Sequence, residues 1–297
     1  MGIKITKLQD GRITLTQPQL INSIITDLNF APNTKPKDIR ANSSVFLQRD
    51  VEGDEFDKPW TTYRSVIGKL NFLEKSTTPD TSYAVHQCAR FASHPTKKSH
   101  GDAVRNFVRY LYGTRDKGII MNPHGHDFTV AVDNVFSGNW NKDTAMNDVM
   151  TVKSMSGYII MYSGCPILWS SKLQTEIALS TTETEYVACS NSLRETIPIM
   201  NLMDEMRRRY ENGIIAIPIV KCELFEDNSG ALEIATVHKM RPRTKHINIK
   251  YHHFQEYVRL KKITIQSIKS EDNYSDGFTK PLPVESFRDP RNTVQGW

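Results

Sequence analysis

Cysteine is scarce: the 297 residues hold four, Cys88, Cys165, Cys189 and Cys222, and no two stand in a Cys-x-x-Cys pair. Neither a disulfide framework nor a thiolate zinc site is indicated, and a reducing compartment suits the chain. The nine histidines, His252-His253 included, lack metal-ligand spacing as well. No apolar run approaches the roughly 18 residues that cross a bilayer, and no secretory leader opens the sequence. A membrane partner is therefore not expected. Internal repeats and low-complexity tracts are also missing. Met1-Gly2-Ile3-Lys4-Ile5-Thr6 fits the short myristoylation pattern, but that pattern is permissive and matches often by chance.

What is present is globular. Hydrophobic residues make up 38% and charged residues 24%, enough to build one large domain or two ordinary ones. The net charge of +5 permits a polyanionic partner without requiring one. Its distribution is uneven: His238 to Lys262 holds eight Lys or Arg and one acid, Glu256. Taken alone, such a strip is most simply a solvated helix face; beside an acidic metal site it points to nucleic acid.

Along the chain the patterning changes once. Ile3 and Ile5 alternate with polar residues, Asp10-Gly11 is a turn, and Ile13 and Leu15 alternate again, which predicts a two-stranded element. Pro18 opens a helix with Leu20, Ile21, Ile24, Ile25 and Leu28 on one face. After a polar, proline-containing linker to residue 60, residues 61–113 read as helices built on Val66, Leu70 and Leu73, then Tyr83, Cys88 and Phe91, then Val104, Phe107, Val108 and Leu111. Residues 114–127 read as a boundary. Beyond it come strands near 128–132, 157–162, 166–170, 220–225 and 263–268. A long helix capped by Ser180 or Thr181, a short one from Asn228, a basic one over 249–260 and a final one from about Asp272 accompany them.

Four acids occupy telling places in this second half: Asp133 at the end of its first strand, Glu185 in the first turns of the long helix, Asp227 at the end of its fourth strand, and Asp276 in the final helix. Each alone is ordinary, since Asp133-Asn134 and Asp227-Asn228 suit turns and Glu185 suits an exposed helix. Together, an acid at the end of a buried strand is costly without a cation, and converging carboxylates bind hard divalent ions. Two ions about 3.5–4 Å apart support in-line cleavage of a phosphodiester.

Long stretches in the same order resemble one family. Ala178-Leu179-Ser180-Thr181-Thr182-Glu183-Thr184-Glu185-Tyr186-Val187-Ala188 is similar to the ALSTTEAEYIA signature of copia-type retrotransposon ribonuclease H domains. Ser154–Tyr158 and Leu168–Gln174 resemble its TSGY and WKSKLQ, Asp227–Ala231 its DNQSA, Arg243–His252 its SRTKHIDIRYH, and Asp276–Pro283 its ADIFTKPLP. Earlier, Tyr63–Leu70 resembles YRSLVGSLLYL, Arg109–Thr114 resembles RYLKGT, and Leu15–Pro18 resembles the LSQP that follows the polymerase active site.

This resemblance implies an α/β fold: a ribonuclease H-like five-stranded mixed sheet with flanking helices, preceded by a mostly helical reverse-transcriptase thumb or connection segment. The implied division is a palm remnant and linker over 1–60, the helical segment over 61–122 and the ribonuclease H-like domain over 123–297. By carry-over, Asp133, Glu185, Asp227 and Asp276 are the catalytic acids and hold two Mg²⁺, with Mn²⁺ as a substitute. Lys239, Arg241, Arg243, Lys245, His246 and Lys250 face nucleic acid, and the partners are an RNA–DNA hybrid and the rest of the Pol polyprotein. A retrotransposon particle in the cytoplasm, or the nucleus, is the implied location. Glu185 is preferred to Glu183 because Ala188 follows it in the family's E-x-x-A register, and residues two apart do not share a helix face. The polymerase signature YxDD is absent; no two aspartates are adjacent, so DNA synthesis by this stretch alone is not expected.

Three features depart from the pattern. Val135 stands where the family carries a second aspartate, residues 139–153 are longer than usual, and Pro198 interrupts the long helix, where it should kink it or cost roughly 3 kcal/mol. A catalytically inactive or domesticated transposon relic that binds nucleic acid or protein is the competing reading.

Overall fold

A computed structural model of the chain describes all residues except 1, 32, 39–46, 51, 57–62, 139, 141, 143–147, 211–217 and 237–251. In the first half, β1 (Lys4–Lys7) and β2 (Ile13–Thr16) pair as an antiparallel hairpin, followed by α1 (Pro18–Asp27), α2 (Tyr63–Thr77), α3 (Ser82–Ala89) and α4 (Asp102–Gly113). The apolar stripes predicted for these helices meet in one core, with Leu20, Ile24, Leu70, Phe107 and Leu111 almost wholly buried. The expected two-stranded element is in fact three-stranded. β3 (Ile119–Met121), from the stretch read as a boundary, pairs antiparallel with β2 through Ile13 and Met121. That pairing spans more than a hundred residues, which local alternation cannot reveal.

The second half forms a five-stranded mixed sheet. β4 (Phe128–Val135), β5 (Met155–Tyr162) and β6 (Cys165–Leu173) run as an antiparallel meander. After the 29-residue helix α5 (Thr181–Arg209), β7 (Cys222–Glu226) adds parallel to β4. Past α6 (Ser229–Thr236) and α7 (Gln255–Arg259), β8 (Ile263–Ser267) adds parallel to β7. The spatial order is β6-β5-β4-β7-β8. The tight β5–β6 turn uses Ser163 and Gly164, both at positive φ (52° and 73°), which suits the twist of a two-residue hairpin. α5 lays Tyr186, Val187, Leu193 and Ile197 over Val130, Val132 and Ile160 of the sheet. It runs unbroken through Pro198, whose ring lies on the solvent side.

Two helix expectations need correction. The basic helix read over 249–260 is, among described residues, only the five-residue α7. No helix begins at Asp272; instead there are two 3₁₀ turns, Ser270–Asp272 and Tyr274–Phe278, and the last helix, α8, spans Val284–Gln295. A 3₁₀ turn and an α-helix place apolar residues at nearly the same spacing, so periodicity does not separate them. α8 also crosses to the first half. Phe287 joins the helical core, edge-on to Tyr110, and the Gln295 side-chain amide donates to Asp80. Trp169 Nε1 of β6 donates to the Glu74 carbonyl at 3.1 Å. No described helix is long and apolar enough to cross a membrane.

Candidate metal centre

Strand alternation and one helix cap build the site. In β4, Val130 and Val132 point toward α5, so Asp133 faces the other side, where its cross-strand neighbour is Gly157. A side chain at position 157 would have no room: an added Cβ would lie 2.5 Å from Phe278 Cβ and 2.7 Å from Thr279 Cγ2. This glycine therefore lets the turn carrying Asp276 sit against the sheet beside Asp133. Asn273 pins the turn, donating from Nδ2 to the Val132 carbonyl at 2.8 Å and accepting from Ser275 N. β4 runs two residues past Asp133, so this acid lies within the strand rather than at its end.

The α5 side is fixed as firmly. Ser180 Oγ accepts from Glu183 N at 3.2 Å, and Glu183 Oε2 accepts from Leu179 N at 2.7 Å, a reciprocal cap that turns Glu183 back along the chain. Asn134 and Gln174 both donate to the Thr184 carbonyl, at 3.3 and 3.0 Å, tying the first turn to the sheet. Glu185 is then left facing inward, 8% exposed. Asp227 follows β7, and Asn228 accepts from Ala231 N to start α6.

The structure brings three of the four expected acids into one group: Asp133, Glu185 and Asp227 each offer a ligand oxygen, all within 4.8 Å of one another. Asp276 stands beside them, its Oδ2 2.8 Å from Lys280 Nζ, and the same ammonium lies 4.0 Å from Asp133 Oδ2. Thr279 Oγ1 donates to Asp133 Oδ2. The six basic-strip residues Lys239, Arg241, Arg243, Lys245, His246 and Lys250 lie outside the described residues.

Two contributors were not anticipated as site residues. Glu226 is fully buried, accepting from Cys189 Sγ at 3.1 Å and from Asn228 N at 3.0 Å. A signal for it existed: β7 alternates, and Glu226 shares the inward face of Cys222 and Leu224. Lys280, within the Phe278-Thr279-Lys280-Pro281 stretch, is the other.

Electrostatically, the cluster is under stress without a cation. Burial, then the Asp276 carboxylate, pushes Asp133 up to about 7. Burial raises Glu185 further, with Glu226, Asp133 and Asp227 adding repulsion. Glu226 is raised to about 7, chiefly by burial. Asp276 is also raised by burial, although Lys280 opposes the shift. Burial works against the Lys280 ammonium, but Asp133 and Asp276 outweigh it and hold the amine above its ordinary value. Glu185 Oε2 and Asp276 Oδ1 are buried and have no hydrogen-bond partner. Uncompensated carboxylate oxygens converging from separate elements are the donor set of a hard divalent cation, so these residues fit one.

Comparisons place the chain among known proteins. No protein-family profile matches it. It is 28% identical over 295 residues to the retrovirus-related Pol polyprotein from transposon TNT 1-94 of Nicotiana tabacum, covering 97% of this chain and 20% of that protein. It is 29% identical over 291 residues to the corresponding polyprotein from transposon RE1 of Arabidopsis thaliana, covering 97% and 18%. The chain thus spans about a fifth of the length of these relatives. A foamy viral protease-reverse transcriptase, solved in complex with dsDNA, superposes with a TM-score of 0.51 at 13% identity, covering 91% of this chain and 44% of that one; this likeness is one of fold.

Proposed function

Because the chain belongs to the Pol polyproteins of copia-type retrotransposons, we propose that its second half is a ribonuclease H that cuts the RNA strand of an RNA–DNA hybrid. One observation carries the reading: Asp133, Glu185 and Asp227, from a strand, a helix and the end of a second strand, meet within 4.8 Å although mutual repulsion disfavours it.

In this reading Asp133, Glu185 and Asp227 would hold one divalent cation, and Asp276 together with Asp133 would hold a second. A pair of Mg²⁺ ions supplies Lewis acidity, easing deprotonation of water and offsetting the charge that builds on a phosphate under attack. The protein's part is placement. The reciprocal cap and the Thr184 carbonyl fix Glu185, the Thr279 hydroxyl orients Asp133, and Asn273 locks the turn that carries Asp276. Asp227 and Asp276 are half-buried, so both are open to an incoming backbone. Lys239, Arg241, Arg243, Lys245, His246 and Lys250 are assigned to phosphate contacts, which makes binding fall with salt.

A hybrid-cleavage assay in magnesium tests this. Asp227→Asn is expected to abolish cleavage and leave hybrid binding largely intact. Cleavage by Asp227→Asn at the parent rate would remove the assignment. An unsubstituted chain that binds hybrid but never cuts it would favour the silent-relic reading.

A further inference from the structure

The four acids are equivalent in a sequence pattern, but the geometry divides them. Asp133, Glu185 and Asp227 form the compact group, and Asp276 lies outside it. Its Oδ2 is held instead by Lys280 Nζ at 2.8 Å, while the same nitrogen is 4.0 Å from Asp133 Oδ2. An ammonium therefore already bridges the two carboxylates that a second ion would have to bridge.

The bridge is built into the backbone. The amides of Thr279 and Lys280 both donate to the Asp276 carbonyl at 3.2 Å, which folds Lys280 back over Asp276 four residues earlier. The Thr279 hydroxyl meanwhile donates to Asp133, so adjacent residues of one turn serve both acids. The Lys280 side chain is 33% exposed. It reaches the site from the solvent edge, and its flexible stem can withdraw without opening the core. Asp276 Oδ1, buried and without a hydrogen-bond partner, is a donor already free for an incoming ion.

We propose that Lys280 is a resident competitor for the second cation. The site takes one ion readily at Asp133, Glu185 and Asp227, and admits another only by displacing the ammonium from between Asp133 and Asp276. This rests on the metal-site reading given above and sharpens it: the two ions are unequal, and the inequality has a named cause. A lysine bridge serves one oxygen of each of two carboxylates with a single charge. A divalent ion in its place brings twice the charge, at the cost of freeing the amine.

The test counts ions rather than turnover. Manganese is titrated into the full-length chain, and free Mn²⁺ is followed by electron paramagnetic resonance. The parent should take up one ion in a tight step and a second in a separate, weaker step. Lys280→Met keeps the apolar stem and removes the charge; it should tighten the second step about tenfold and leave the first nearly unchanged, a typical size for coupling between neighbouring sites. Lys280→Arg, which keeps the charge, should retain the weak second step. Asp276→Asn should lose the second step and keep the first. Thermal unfolding in EDTA confirms that each variant is folded. Two equal steps in the parent, or a second step unmoved in Lys280→Met, would overturn the role of Lys280 while leaving the nuclease reading intact. Absence of any Mn²⁺ uptake by parent and variants would overturn both.

Discussion

Each half of the molecule buries acids, and the two sets differ in how fully they are partnered. In the helical half, Asp80 is 4% exposed and receives hydrogen bonds from the Tyr110 hydroxyl and the Gln295 amide. Glu74, 3% exposed, receives them from the Ser82 hydroxyl and from Lys75. In the sheet half, Asp133, Glu185 and Glu226 are just as buried, yet the nearest charges to Glu185 are other carboxylates and one of its oxygens has no hydrogen-bond partner. Burial alone therefore does not mark a site. An acid surrounded by donors holds the fold together, whereas acids turned on one another wait for a cation.

That contrast breaks most sharply if both sets respond alike to mutation. Asp80→Ala strands a buried tyrosine hydroxyl and a buried amide, and should cost about 3 kcal/mol of stability, with or without magnesium. Urea denaturation measures this, and a cost that vanishes with magnesium would place Asp80 in the wrong class.

The next effect depends on pH. Asp133 and Glu226 have folded values of about 7, against ordinary values of 3.8 and 4.5. The folded form therefore binds protons that the unfolded form releases. Their contribution is fully present below pH 4 and is lost as pH rises through 7. Metal-free protein should be less stable at pH 8 than at pH 5, by on the order of 2 kcal/mol. Magnesium should restore stability at pH 8 and do little at pH 5. Denaturant midpoints at the two pH values, with magnesium or EDTA, check the sign.

The smallest effect sharpens the comparison within the site. Glu185→Gln replaces a carboxyl that burial keeps protonated in the fold but that ionises in the unfolded chain, so it should stabilise the metal-free protein by about 1 kcal/mol at pH 8 while removing most of the magnesium-induced gain. A loss of stability in EDTA would class Glu185 with Asp80.

Much of this arrangement was legible in the residues. The five strands follow from runs of alternating or continuous apolar residues, and the position of Glu185 follows from Ser180 and the E-x-x-A register. What escaped was non-local or ambiguous in period. β3 pairs with a strand more than a hundred residues away. The Asp276 turn mimics a helix start. Glu226 stands next to the more conspicuous Asp227, and only the strand's alternation reveals that it points inward. Lys280 bears on the site because a turn folds it back over Asp276, a fact of backbone geometry that residue type does not announce.

The return of α8 to the first half has a consequence for how the chain is made. Phe287 completes the helical core, Gln295 meets Asp80 across 215 residues of sequence, and Trp297 Nε1 donates to the Gly118 carbonyl at 2.6 Å. The helices are synthesised before the sheet, but their core lacks Phe287 until residues 284–297 have followed. Contacts of such long separation close slowly, so the helical half is expected to gain its last core contacts only after the sheet has been synthesised.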